Sequence, residues 1–240
     1  MLEQRNDVTR EILDEFGVEV AKTETGYHVP GRQHYEPSEG EYSVPTDFSS
    51  VSSLLVAGVL AAEDEVTIHS VYSSAQRESR IVDIIDKMGG DLDWDRDSGL
   101  LTVRQSDLEG ISVDIGETPD LLPTVAVLGT AADGTTWIEG GSVGRVKTTP
   151  RPAAMAESLT KMGVQVDEHD GELVIDGGDS NLRGATVEGW RDHRIITALS
   201  ALALIADGGT TILDAEHVEA AFPEFFDELF ALGADVHRQT

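Results

Sequence analysis

Three aspartates stand directly before apolar, helix-forming stretches: Asp47 in VPTDFSSVSSLLVAG, Asp120 in TPDLLPTVAVLG and Asp192 in RDHRIITALSALALI. An aspartate so placed can cap a helix, its carboxylate accepting N–H bonds that the first turn leaves unpaired. The bases around them are the more informative feature. The chain has 17 Lys and Arg against 45 Asp and Glu, yet Arg145, Lys147, Arg151, Arg191 and Arg194 all lie near two of these helix starts. A helix N-terminus carries partial positive charge and free N–H groups, so it attracts anions. Arginine adds a planar fork that matches two phosphate or carboxylate oxygens. The chemistry this pattern suits is anion binding. Asp192 is expected to cap its helix, with Arg194 and the lesser candidate His193 facing outward at its positive end.

What must position these residues is visible as a repeat of about 72 residues. Four segments, ILDEFGVEV, IIDKMGGDL, SLTKMGVQV and LFALGADVH, share a helix, a glycine and a short strand. Their glycines are Gly17, Gly89, Gly163 and Gly233, spaced by 72, 74 and 70 residues. Glycine just past a helix is the usual left-handed cap. Interleaved with them, LLVAGVLAAEDEVTI, VAVLGTAADGTTWI and LSALALIADGGTTI each read as a small-residue helix, a turn and a β-branched strand. The unit is therefore helix, strand, helix, strand, strand, with turns such as RDSG and EHDG pairing the last two strands. Three units fill residues 46–240 and an incomplete one occupies residues 1–45. The aspartates obey the same period, at intervals of 73 and 72. Packed with pseudo-threefold symmetry, the units would bring three helix N-termini to one end of an α/β domain.

The bulk numbers bound the alternatives. A chain of 240 residues with 40% apolar content can bury a real core. A net charge of −28 with only four lysines (Lys22, Lys87, Lys147, Lys161) reads as a carboxylate-covered surface adapted to high salt. It disfavours nucleic acid and anionic membranes as partners, because both would repel the chain. No cysteine is present, so disulfides and thiolate metal sites are excluded. The seven histidines never take His-x-His or His-x-x-x-His spacing, which leaves no zinc motif. No apolar run of about 18 residues occurs, and no apolar leader follows a basic start. The expectation is a soluble, cytoplasmic protein.

The ordered set PDLLPTVAVL, RVK followed by PR before a helix ending KMG, DHRI, and FPEFFDELFALGA resembles the 5-enolpyruvylshikimate-3-phosphate synthase family. VPGRQHY and VPTDFSSVSSLLVAG are similar to that family's middle region. The UDP-N-acetylglucosamine enolpyruvyl transferases share the fold and the repeat, but DHRI and PDLLPT favour the shikimate enzyme. The resemblance implies an inside-out α/β barrel domain and transfer of the carboxyvinyl group of phosphoenolpyruvate to the 5-hydroxyl of shikimate 3-phosphate. It implies no metal or organic cofactor. By the same resemblance Asp120 is the catalytic aspartate that takes the hydroxyl proton. Lys147 contacts shikimate 3-phosphate, Arg151 and Arg194 hold phosphoenolpyruvate, and His193 accompanies them. Asp47 and Asp192 remain helix-start residues.

The chain departs from the family's pattern. KTTPR stands where the family usually reads Lys-Glu-Ser/Thr-Asp-Arg, so Thr148 replaces an acidic proton-transfer residue and Pro150 an aspartate. The family's chains are roughly twice as long. Residues 1–45 resemble the end of their N-terminal domain and 46–240 most of the C-terminal one. The chain alone is expected not to turn over, and three roles follow: an enzyme half that needs a separate N-terminal half, a non-catalytic remnant or interaction half, or a UDP-N-acetylglucosamine enolpyruvyl transferase-like enzyme. The charge makes a sharper prediction. Circular dichroism on dilution from molar into low salt should show loss of cooperative structure, and full retention would refute salt adaptation.

Overall fold

The computed structural model describes residues 6–37, 40–141, 149–178 and 181–238. Helix α1 (Asn6–Glu15) leads to an exposed antiparallel hairpin of β1 (Ala21–Thr23) and β2 (Gly26–His28). Helix α2 (Phe48–Ala61), β3 (Glu65–Ile68), α3 (Arg80–Lys87), β4 (Leu92–Asp95) and β5 (Leu100–Arg104) follow. The three strands form an antiparallel sheet in the order β3-β5-β4. Next come β6 (Ser112–Asp114), a 3-10 turn (Pro119–Leu121), α4 (Leu122–Ala131), β7 (Thr135–Glu139), α5 (Arg151–Lys161), β8 (Gln165–His169) and β9 (Glu172–Asp176). Their sheet has the order β6-β7-β9-β8, with only the β6–β7 pair parallel. The last stretch holds β10 (Thr186–Glu188), α6 (His193–Ala203), β11 (Thr211–Leu213) and α7 (Phe225–Ala231), with β10 and β11 parallel.

Three helices form the interior. Every residue of α4 from Leu122 to Thr130 is buried, as are Leu55–Leu60 of α2 and Ile195–Leu202 of α6. A helix apolar around its whole circumference can only sit inside a core. Accordingly α2, α4 and α6 each pack against the other two. The sheets cover them with one face: Leu101 and Val103 of β5, Thr136 and Ile138 of β7, and Leu173 and Ile175 of β9 point inward, and their neighbours point out. This alternation is what a half-buried strand requires. The α/β class is as expected, with helices inside and sheets outside.

The four repeat glycines end α1, α3, α5 and α7 in the left-handed region, with φ of 68°, 90°, 88° and 100°. Each is the pivot of the same paired hydrogen bonds. After α5, Gly163 N–H donates to Thr160 O and Val164 N–H to Leu159 O, the pattern of a Schellman cap. Both hairpin turns read from sequence join paired strands, β4 to β5 and β8 to β9.

Two features differ from the sequence reading. Strands β6 and β10 precede α4 and α6 and were not expected. Three residues are too few to show a period of two, and these strands exist because β7 and β11 offer parallel ladders. Conversely, the strand expected in GADVH is not formed. Ala234 and Val236 pack on the core, but no neighbouring strand among the described residues supplies a ladder. Among the described residues no helix is long and apolar enough to cross a membrane.

Close packing of α4 on β7 depends on Gly129. A Cβ there would lie 2.8 Å from Thr136 Cβ and 3.0 Å from its Cγ2 and Oγ1, and Thr136 is fully buried. Helix propensity alone favours Gly129→Ala by about 1 kcal/mol, whereas overpacking costs about 1–3 kcal/mol. The clash should win. Denaturant unfolding in high salt should show Gly129→Ala to be less stable by about 1 kcal/mol.

Candidate active site

The N-terminal ends of the three inner helices and of α5 meet in one cluster. Arg151, the first residue of α5, is almost fully buried and lies between two carboxylates. Its Nε donates to Asp192 Oδ2 at 2.8 Å and its Nη2 to Asp192 Oδ1 at 3.2 Å, a two-pronged contact. Its Nη1 donates to Asp120 Oδ1 at 2.5 Å. The other oxygen of Asp120 lies 3.6 Å from Nη2 of Arg194. That same Nη2 donates to Ser49 Oγ, at 3.0 Å, in the first turn of α2. Among the described residues two arginines and two aspartates offset one another, and this pairing is what permits Arg151 and Asp192 to be buried.

Asp192 has two tasks. As the cap of α6 it accepts from Arg194 N–H at 3.0 Å, and with both oxygens it holds Arg151. Burial disfavours its ionisation, but the Arg151 hydrogen bonds and charge, the Arg194 amide and His193 outweigh burial and hold the carboxyl below its ordinary range. For Arg151 burial likewise opposes the charged form, and Asp192 and Asp120 overcome it and raise the guanidinium. His193, half-buried at the start of α6, is shifted down by burial first and then by the charges of Arg194 and Arg151, against the pull of Asp192 and Asp120.

The residues nominated from sequence are not all together. Asp120, Arg151, Asp192 and Arg194 meet, and His193 flanks them. Asp47 caps α2, accepting from Ser49 N–H at 3.0 Å. Asp120, by contrast, is not a helix cap. Pro119 starts the 3-10 turn with Thr118 in the capping position, and the carboxylate of Asp120 is claimed by the two arginines. Nor does Arg194 face outward, since its side chain is only 14% exposed and reaches across to α2 and Asp120. Arg191 is turned away, 74% exposed and 3.9 Å from Asp214. Arg145, Lys147 and Thr148 lie outside the described residues.

Sequence reasoning missed Ser49 and the turn that delivers Asp192. Trp190 and Arg191 both have positive φ, 55° and 50°, and Asp192 N–H closes the turn onto Gly189 O. Ser49 was legible through the repeat: it stands two residues after Asp47 as Arg194 stands two after Asp192.

A core of three mutually packed helices sheathed by sheets, with charged groups gathered at the helix starts, places the chain among the enolpyruvyl transferase folds. An EPSP synthase structure from Acinetobacter baumannii superposes with a TM-score of 0.83 at 26% identity, covering 94% of this chain and 54% of that one. The enolpyruvyl transferase NikO from Streptomyces tendae shares the fold at 21% identity, TM-score 0.72, over 96% of this chain and 53% of its own. The chain belongs to the EPSP synthase (3-phosphoshikimate 1-carboxyvinyltransferase) family, whose profile matches residues 2–229. It is 53% identical over 231 residues to the 3-phosphoshikimate 1-carboxyvinyltransferase of Halobacterium salinarum, covering 95% of this chain and 54% of that protein. The chain therefore spans about half the length of the relatives it matches.

The two lowered values give the sign of what Asp192 and His193 contribute to the acid response. Where the unfolded chain binds more protons than the folded one, stability rises with pH. The His193 contribution is therefore complete above 6.5 and is lost as pH falls through its lowered folded value, and that of Asp192 is lost further down, below 3.8. Melting temperature measured against pH at constant high salt should fall below pH 6.5. In His193→Gln the first part of that fall should be flattened.

Proposed function

We propose that the chain supplies one wall of a 3-phosphoshikimate 1-carboxyvinyltransferase site, taking phosphoenolpyruvate as donor and the 5-hydroxyl of shikimate 3-phosphate as acceptor. The observation that carries this reading is the carboxylate of Asp120 held between Arg151 and Arg194 at converging helix starts. Transfer forms a bond from the acceptor oxygen to the donor's substituted vinyl carbon and breaks that carbon's bond to the phosphate oxygen, releasing phosphate. The acceptor hydroxyl must lose its proton. Asp120 takes it, since the guanidiniums beside it keep its carboxylate ionised and aim its oxygens. Arg194 meets the donor's anionic groups, and Arg151, whose fork Asp192 already holds, meets them only with N–H groups not given to the two aspartates. Lys147 contacts shikimate 3-phosphate and His193 lines the same end as a neutral group.

In this reading residues 46–240 form a three-unit domain with pseudo-threefold symmetry, and residues 1–45 form the end of a preceding domain. That first segment reaches the rest through Glu11, whose Oε2 accepts from Ala75 N–H. The remaining ligands come from a separate N-terminal half, and the whole works in a salt-rich cytoplasm. Thr148, where the family usually has an acid, favours a second reading in which the chain binds anions without turning over.

Phosphate release from the two substrates separates these readings. The chain alone should show none, because placing the reactants is itself worth about 7–11 kcal/mol. With an N-terminal half supplied, slow release should appear. Thr148→Glu should speed it, and Asp120→Asn should reduce it by about 100-fold or more. No release under any of these conditions would leave the binding reading. Ordinary turnover by the chain alone would place the site within one domain or across two copies.

A further inference from the structure

The stretch Thr46–Ser53 is tied down more thoroughly than a helix start needs. Phe48 is fully buried and its N–H donates to Gln76 Oε1 at 2.8 Å. Gln76 in turn donates through Nε2 to Thr46 O at 3.0 Å. Ser49 is held from both ends of its backbone. Its N–H donates to Asp47 Oδ1, and its carbonyl accepts from Ser52 Oγ at 2.9 Å and Ser53 Oγ at 3.2 Å. The hydroxyl of Ser49 is what this scaffold presents, and it accepts from Nη2 of Arg194, 145 residues away, at 3.0 Å.

We propose that Ser49 is a positioning residue for Arg194. It fixes the guanidinium at the junction of α2 and α6 so that Arg194 meets an anionic ligand while staying beside Asp120. A long side chain free to rotate would lose rotamer entropy on binding. Anchoring one Nη before the ligand arrives removes part of that cost and keeps the fork's plane set. One step further back, Asp47 holds Ser49 and Gln76 holds the flanking Thr46 and Phe48. The idea rests on the reading of Arg194 as a phosphoenolpyruvate ligand.

Calorimetric titration of the chain with phosphoenolpyruvate in high salt provides the test, with Ser49→Ala, Ser49→Thr, Arg194→Ala and the Ser49→Ala/Arg194→Ala double variant. Ser49→Ala should weaken binding about three- to tenfold, with little change in melting temperature. Ser49→Thr, which keeps the hydroxyl, should restore it. In the Arg194→Ala background, removing the hydroxyl should have no further effect, since the residue acts through that arginine. If Arg194→Ala weakens binding and Ser49→Ala does not, or if Ser49→Ala costs as much without Arg194 as with it, the positioning role is overturned. If the unaltered chain does not bind phosphoenolpyruvate, or Arg194→Ala binds it equally well, the functional reading fails and this proposal falls with it.

Discussion

The contact between Arg151 and Asp192 is the constraint around which the site is built. A buried guanidinium is tolerable only if its charge and its donors are met, so α5 can begin where it does only with a carboxylate fixed beside it. Fixing that carboxylate has a cost. The turn from β10 into α6 passes through Trp190 and Arg191 with φ of 55° and 50°, a conformation worth roughly 1–2 kcal/mol of strain per residue. Removing one partner of a buried ion pair typically costs about 3–5 kcal/mol. The pair's location also explains why Arg194 and His193 stand where they do, since both belong to the first turn that Asp192 caps.

The interior dictates where chemistry can occur. Helices α2, α4 and α6 are buried almost all round, so none can carry a charged residue along its length without an unpaired buried charge. Their starts are different. There the backbone leaves N–H groups unpaired and the axis carries positive potential, so acidic caps and bound anions are both favourable. Packing three such helices together brings their starts close enough for one side chain to span two of them. Arg194 does so from α6 to α2, and Arg151 does so between the caps of α6 and the turn before α4.

Much of this was readable because periodic features survive in a single sequence. The four capping glycines and the apolar helices announce themselves by spacing, and their conformations agree with it. Asp192 and Arg194 were legible as a helix-start acid with bases crowded beside it and Asp120 by its place in the repeat, while the roles of Asp120 and Arg151 came from the family resemblance. What escaped was set by long-range pairing. Strands β6 and β10 depend on partners more than twenty residues away, and the direction of the Arg194 side chain depends on Ser49 at a separation of 145. Asp120 shows the same limit from the other side. Its repeat position matches two true caps, but Pro119 starts the helical turn ahead of it, a local signal, and two arginines claim its carboxylate, which no local pattern shows.

A chain of net charge −28 that is proposed to bind anions sets two electrostatic demands against each other. The acidic surface repels an approaching anion over distances comparable with the Debye length, which is about 10 Å at 0.1 M salt and about 3 Å at 1 M. Concentrated salt therefore removes the long-range opposition. The attraction inside the cluster survives, because groups as enclosed as Arg151 and Asp192 are screened far less than exposed ones. Contacts such as Arg104–Glu65, with both side chains about half exposed, lack that protection and contribute little at high salt. Salt that screens this surface would thus also clear the approach to the proposed site while leaving its buried charges in force. For an arginine-based anion site of the kind proposed, enclosure keeps the attraction in force where a carboxylate-covered surface must be screened, and Arg151 and Arg194 are enclosed.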